Sequence, residues 1–160
     1  MVGRCHSCLL RPKSRGEVTL ESADPFADPL IDPKFLTHPD DMQDMIDGYK
    51  AMMKVLNNAS FSKYISQNTQ RPIDINDDAD IEKAIREEAD TVYHPVGTCK
   101  MGDDDMSVVS HDLKVHKMKG LRVVDASIMP TLVGGNTNAP TIMIGEKASD
   151  LIINEWRIRY

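Results

Sequence analysis

Met42, Met45, Ile46, Tyr49, Met52, Met53 and Leu56 recur at intervals of three and one, which places seven large apolar side chains on one stripe of a helix. Such a stripe must be covered, so the chain has to supply a packing partner for a helix of about five turns. The preceding residues suit its start. Pro39 can occupy a first helical position, and Asp40, Asp41 and Asp44 place negative charge at the positive end of the helix dipole. A helix from about Asp40 to Asn58 is expected. Between Asp24 and Pro39, prolines at 25, 29, 33 and 39 push their predecessors toward extended backbone, so this stretch reads as a pinned surface segment.

Other elements follow from weaker signals. Leu9 to Gly16 is basic and broken by proline and glycine, and Glu17-Val18-Thr19-Leu20-Glu21 then alternates polar with apolar as a half-buried strand does. Asn57 to Asp78 is polar and irregular and reads mostly as loop, with Phe61, Tyr64 and Ile65 available to pack beneath the first helix. Asp77 or Asp78 can cap a second helix whose stripe is Ile81, Ala84, Ile85 and Ala89, ending near Asp90. Leu121 to Val124 suggests a short strand, and Ile144, Ala148, Leu151, Ile152 and Trp156 place a last helix from about Pro140. Asp103 to Asp105 reads as a solvated turn.

At 160 residues the chain is long enough for one ordinary core, and 41% hydrophobic with 28% charged residues is the composition of a folded globular protein. The net charge of −6 argues against a nucleic-acid partner. No apolar run approaches the ~20 residues of a spanning helix. The first residues lack the apolar run of a secretory signal, and three cysteines make a disulfide framework improbable. A reducing cytoplasm is the expected setting.

Three places can carry chemistry. Cys5-His6-Ser7-Cys8 has the spacing of half a zinc site, but no second pair follows, and no metal is expected. His94, before Pro95, Gly97 and Thr98, presents an imidazole from a constrained loop, either as a proton acceptor or as a plain turn residue. Gly134-Gly135-Asn136-Thr137-Asn138-Ala139-Pro140 places backbone N–H groups at a helix start. They can receive an electron-rich group, or the loop can be simply a cap with Asn138 bonding the first turn and Pro140 as first helical residue.

Taken together, Thr91-Val92-Tyr93-His94-Pro95-Val96-Gly97-Thr98-Cys99-Lys100-Met101-Gly102, Val124-Asp125-Ala126-Ser127-Ile128-Met129-Pro130 and Gly135-Asn136-Thr137-Asn138-Ala139-Pro140-Thr141 resemble the C-terminal signatures of the glucose-methanol-choline oxidoreductase family. Leu9 to Leu20 and Asp24 to Pro33 resemble the same family, and Asn-Thr-Asn-Ala-Pro-Thr is similar to its choline dehydrogenase-like alcohol dehydrogenases. The resemblance implies an FAD enzyme that oxidises a primary, non-sugar alcohol to an aldehyde by hydride transfer to flavin N5. It implies His94 as the base and Asn136 as its partner, where many relatives carry a second histidine. Asparagine can hydrogen-bond the substrate oxygen but cannot take its proton. Asp125 and Ala126 fall where the family approaches the flavin and its pyrophosphate, and Asn138, Pro140 and Thr141 fall beside the isoalloxazine ring.

One departure is large. The family's Gly-x-Gly-x-x-Gly phosphate turn is absent, since Gly3 and Gly16 stand alone. The chain is therefore expected to be a C-terminal fragment that neither retains FAD nor turns over by itself, and whose parent is cytoplasmic or peripheral to the inner membrane. The expected fold is α+β, a mostly antiparallel sheet with covering helices. Residues 1–118 would form the substrate side, and residues 119–160 a strand and helix returning to the FAD-binding domain. Apolar surface normally covered by the missing half would favour self-association. A stand-alone binding or regulatory module that kept these signatures without turnover is the competing expectation.

Overall fold

The computed structural model describes residues 5–62, 64 and 72–157. Strands β1 (Glu17–Thr19) and β2 (Leu30–Asp32) pair as a two-stranded antiparallel sheet. Helices α1 (Pro39–Leu56), α2 (Ala59–Ser62), α3 (Asp78–Glu88) and α4 (Asn138–Arg157) follow, with a 3-10 turn at Ala126–Ile128 between the last two. The fold is α+β with a very small sheet, and every residue of β1 is exposed rather than half-buried. Among the described residues, no helix is long and apolar enough to cross a membrane. The chain divides into two compact units, one of Met1–Gly16 with Ile31–Val92 and one of Glu17–Leu30 with Tyr93–Tyr160.

The first unit is organised by α1. Its covering element is α3, and the core they share is Met42, Ile46, Ile81 and Ile85, with Leu36, Met45, Tyr49 and Ile73 around it. Burying each of these aliphatic side chains contributes about 1.5–3 kcal/mol. An 18-residue helix is about 27 Å long and an 11-residue helix about 16 Å. The shorter one therefore covers only part of the stripe, and Met52, Met53 and Leu56 are half-buried.

Both helices start as their sequences suggest, with one addition. Asp77 caps α3 by accepting from the Ala79 N–H, and the cap of α1 is His38, whose Nδ1 accepts from the Asp40 N–H at 3.2 Å. Asp41, in the first turn of α1, is 1% exposed. Its carboxylate accepts from the N–H groups of Lys13 and Ser14, each at 2.8 Å, and from the Ser14 hydroxyl at 2.5 Å. Ser14 Oγ in turn accepts from the His38 N–H at 3.0 Å. The irregular segment before the strands is thus bolted to the helix start. Gly16 completes the arrangement, because a Cβ there would collide with the backbone of Asp32 and Pro33. The segment after α1 is not entirely loop, since α2 forms one turn, and Tyr64 is exposed. Ile65 and the side chain of Phe61 lie outside the described residues.

In the second unit, Val109, Leu113, Ile128 and Met129 pack with Ile144 and Ala148 of α4. Leu121 to Val124 does not form a named strand. It contributes the bridge Lys114↔Arg122 and the bonds Val115 N–H to Leu121 O at 3.0 Å and Val123 N–H to Leu113 O at 3.1 Å. Left-handed backbone at Leu113 (φ 64), Lys117 (φ 62) and Gly120 (φ 75) turns the chain too often for a ladder to propagate. The last helix starts two residues earlier than expected, so Pro140 is its third residue and Thr137 precedes it. Ile152 and Trp156, expected on its buried stripe, are exposed because α4 outruns the core. Its final turn is held by charge instead. Glu155 accepts from Arg122 at 2.5 Å and pairs with Lys114 at 3.1 Å, and those contacts hold its carboxyl down at about 2.

Candidate active site

His94 sits on the segment that follows α3. Tyr93, with φ 61, turns the chain just before it, and Pro95 biases His94 toward extended backbone. Three residues on, Gly97 has φ 90, and a Cβ there would lie 3.3 Å from the Met129 carbonyl, so both conformation and closeness favour glycine. Beyond it, the Cys99 N–H donates to Ser127 O at 3.0 Å and the Met101 N–H to Ile128 O at 2.8 Å. The histidine loop is therefore docked along the 3-10 turn.

That turn begins at Asp125, whose Oδ1 accepts from the Ser127 N–H at 2.7 Å. Asp125 is exposed, whereas Ala126 is half-buried against the Val109 core. The chain then runs through exposed Gly134, Gly135 and Asn136 into α4.

The imidazole is fixed from the helix side. His94 Nδ1 lies 2.8 Å from Thr137 Oγ1, with His94 half-buried and Thr137 buried. Nε2 has no hydrogen-bond partner among the described residues. Of the other described histidines, His6 is exposed, His38 caps α1, His116 Nε2 lies 3.0 Å from Gly102 O, and exposed His111 lies 3.3 Å from Asp103. Asn136, next in the chain to Thr137, is carried on the same loop and is exposed. Thr141 spends its hydroxyl on the helix, donating to Thr137 O at 2.6 Å, and its N–H bonds the same carbonyl at 3.0 Å. Asn138 is exposed and Pro140 half-buried in the first turn. Chemically, the arrangement is an imidazole held at one nitrogen, with no partner among the described residues at the other, beside the positive end of a 20-residue helix.

Thr137 is the residue the sequence reading passed over. Its signal was available in the proline three positions later, which removes the N–H that a capping hydroxyl commonly bonds. Cys5 and Cys8 are exposed, and among the described residues no group of three His, Cys, Asp or Glu side chains is placed to hold a metal ion. A shallow depression lined by Lys54, Val55, Asn58 and Ser60 belongs to the first unit and brings no titratable pair together.

Residues 12–145 match the family model of the GMC oxidoreductase C-terminal domain, and the chain belongs to that family. It is 48% identical over 150 residues to an alcohol dehydrogenase [acceptor] of Pseudomonas putida, covering 94% of this chain and 27% of that protein. An oxygen-dependent choline dehydrogenase of Klebsiella pneumoniae subsp. pneumoniae is 44% identical over 149 residues, 93% of this chain and 27% of its own length. Among solved structures, an Aspergillus oryzae formate oxidase studied for FAD modification superimposes with a TM-score of 0.89 at 32% identity, over 95% of this chain and 27% of that one. The chain thus spans about a quarter of the length of the relatives it matches.

Proposed function

We propose that this chain is the C-terminal catalytic portion of an FAD-dependent oxidoreductase that converts a primary alcohol, choline-like or another non-sugar alcohol, to its aldehyde, with His94 as the base. The observation that carries the reading is the His94 ring, held through Nδ1 at 2.8 Å while Nε2 stays open. A neutral imidazole so placed can accept the hydroxyl proton as hydride leaves the neighbouring carbon. Asn136 orients the substrate oxygen through its carboxamide and leaves the proton to His94.

The residues fit the ring end of FAD and not its phosphates. A Cβ on Gly135 would meet nothing within 4 Å, so the loop before α4 leaves open room, and the exposed N–H groups at the helix start suit an electron-rich ring edge. Asn138, Pro140 and Thr141 would line that edge, and Asp125 with Ala126 would face the cofactor from the 3-10 turn. When bound, the flavin supplies the hydride-accepting centre. The phosphate-binding glycine turn would come from the remaining part of the parent, consistent with the 27% coverage of the relatives.

In this reading residues 1–118 serve the substrate side and residues 119–160 return to the FAD-binding domain. Leu20 (84% exposed) and Phe26 (93% exposed), and Ile142 and Met143 on α4, are exposed apolar side chains suited to burial by the absent half or, in isolation, by self-association. The fragment alone then neither retains FAD nor turns over. Three free cysteines fit a parent in a reducing, cytoplasmic setting. The test is anaerobic titration of the full-length protein with candidate alcohols. Bleaching of the flavin band by a primary alcohol in the wild type, slowed about 10²-fold in His94→Ala, is the expected result. Bleaching at the wild-type rate in His94→Ala would remove the histidine from the role.

A further inference from the structure

We infer that Thr137 is a positioning residue that selects the tautomer of His94, keeping the proton on Nδ1 so that Nε2 is the nitrogen that receives the substrate proton. The inference rests on the reading of His94 as base. It begins with the geometry of the helix start. Thr137 stands at the N-cap of α4, where a threonine hydroxyl ordinarily accepts from the N–H of the second or third helical residue. The third residue here is Pro140, which has no N–H to give, and the N–H of the second, Ala139, makes no bond to Oγ1. The Thr137 carbonyl serves the helix instead, accepting from the Thr141 N–H and the Thr141 hydroxyl. Oγ1 is left for the imidazole, and its hydrogen-bond partner among the described residues is His94 Nδ1.

Two hydrogen placements satisfy a 2.8 Å contact between a hydroxyl and a ring nitrogen. If the hydroxyl donates, Nδ1 is bare and the proton sits on Nε2, which then cannot accept another. If Nδ1–H donates to Oγ1, the Nε2 lone pair is free. Only the second placement leaves the open nitrogen basic. It also survives proton transfer. When the substrate O–H bond breaks and the Nε2–H bond forms, Nδ1 keeps its proton and its acceptor, so no hydrogen bond has to be remade during the step. Burial of Thr137 keeps water from replacing the hydroxyl as partner.

The test uses the intact enzyme with ¹⁵N-labelled histidine, the His94 signals being assigned by their loss in His94→Gln. The expected wild-type result is the Nδ1–H form of neutral His94. Thr137→Val, which preserves shape and removes the acceptor, should shift the ring toward the Nε2–H form and lower kcat roughly tenfold, the worth of one neutral hydrogen bond. KM should change little, and Thr137→Ser should restore both tautomer and rate. Flavin absorbance per protein checks that the variants fold. An Nε2–H tautomer in the wild type overturns the proposal without recourse to any variant, and so does a Thr137→Val enzyme with unchanged tautomer or unchanged kcat, in which case Thr137 is a helix cap only. Failure of the underlying reading looks different: His94→Gln would then turn over normally, whatever the tautomer.

Discussion

Asp41 and His94 are the most informative polar side chains of the two units, and their surroundings differ in one respect. Asp41 is almost fully enclosed and its carboxylate is answered by three donors from Lys13 and Ser14. Burial pushes its pKa up, but the Ser14 hydroxyl and the two backbone N–H groups outweigh that and hold the carboxyl below its ordinary value. His94 is half-buried and answered on one nitrogen only. A polar group answered on both of its oxygens has been committed to holding the chain together, whereas a ring answered on one nitrogen keeps the other for a visiting molecule.

That contrast can be broken by substitution. Asp41→Ala strands three donors and should cost about 3 kcal/mol of stability in urea unfolding, with the surviving folded full-length enzyme keeping its kcat. A loss of kcat with stability intact would erase the distinction. His94→Ala should do the reverse, lowering kcat of the full-length enzyme about 10²-fold with little change in the unfolding midpoint. Asn136→Ala should cost less, about tenfold, if the carboxamide only orients oxygen. A larger loss than in His94→Ala would exchange their duties. The smallest effect is expected at Glu155, whose carboxyl Arg122 and Lys114 hold at about 2 against an ordinary 4.5. Its folded-state pKa is depressed, so its contribution is present above pH 4.5 and disappears as pH falls toward 2. Thermal melts of Glu155→Gln across that window should show a shallower dependence on pH than the wild type, while melts at pH 1.5 should coincide.

How much of this was legible in the sequence follows from how local each cause is. Helices α1, α3 and α4 were readable because periodicity, Asp77 and Pro39 act within a turn or two of the residues they organise. The His38 cap and the short α2 carried no such pattern. Leu121 to Val124 has strand-like composition, yet its pairing depends on Leu113 and Lys114 and on the left-handed residues between. Composition alone does not reveal those. Likewise His94 was singled out by its loop and by family resemblance, whereas Thr137 acquires its part only by meeting a ring 43 positions away. The proline that frees its hydroxyl was visible, but only the folded chain shows what the freed oxygen touches.

The left-handed tyrosine immediately ahead of His94 gives the loop a loaded character. A non-glycine residue in that region costs about 1–3 kcal/mol, so the fold carries that cost beside His94. Replacing Tyr93 by glycine would relieve the tension and let the ring wander. A sturdier molecule and a duller catalyst would then come from the same change, and improvement of either quality by directed evolution should meet the other at this position.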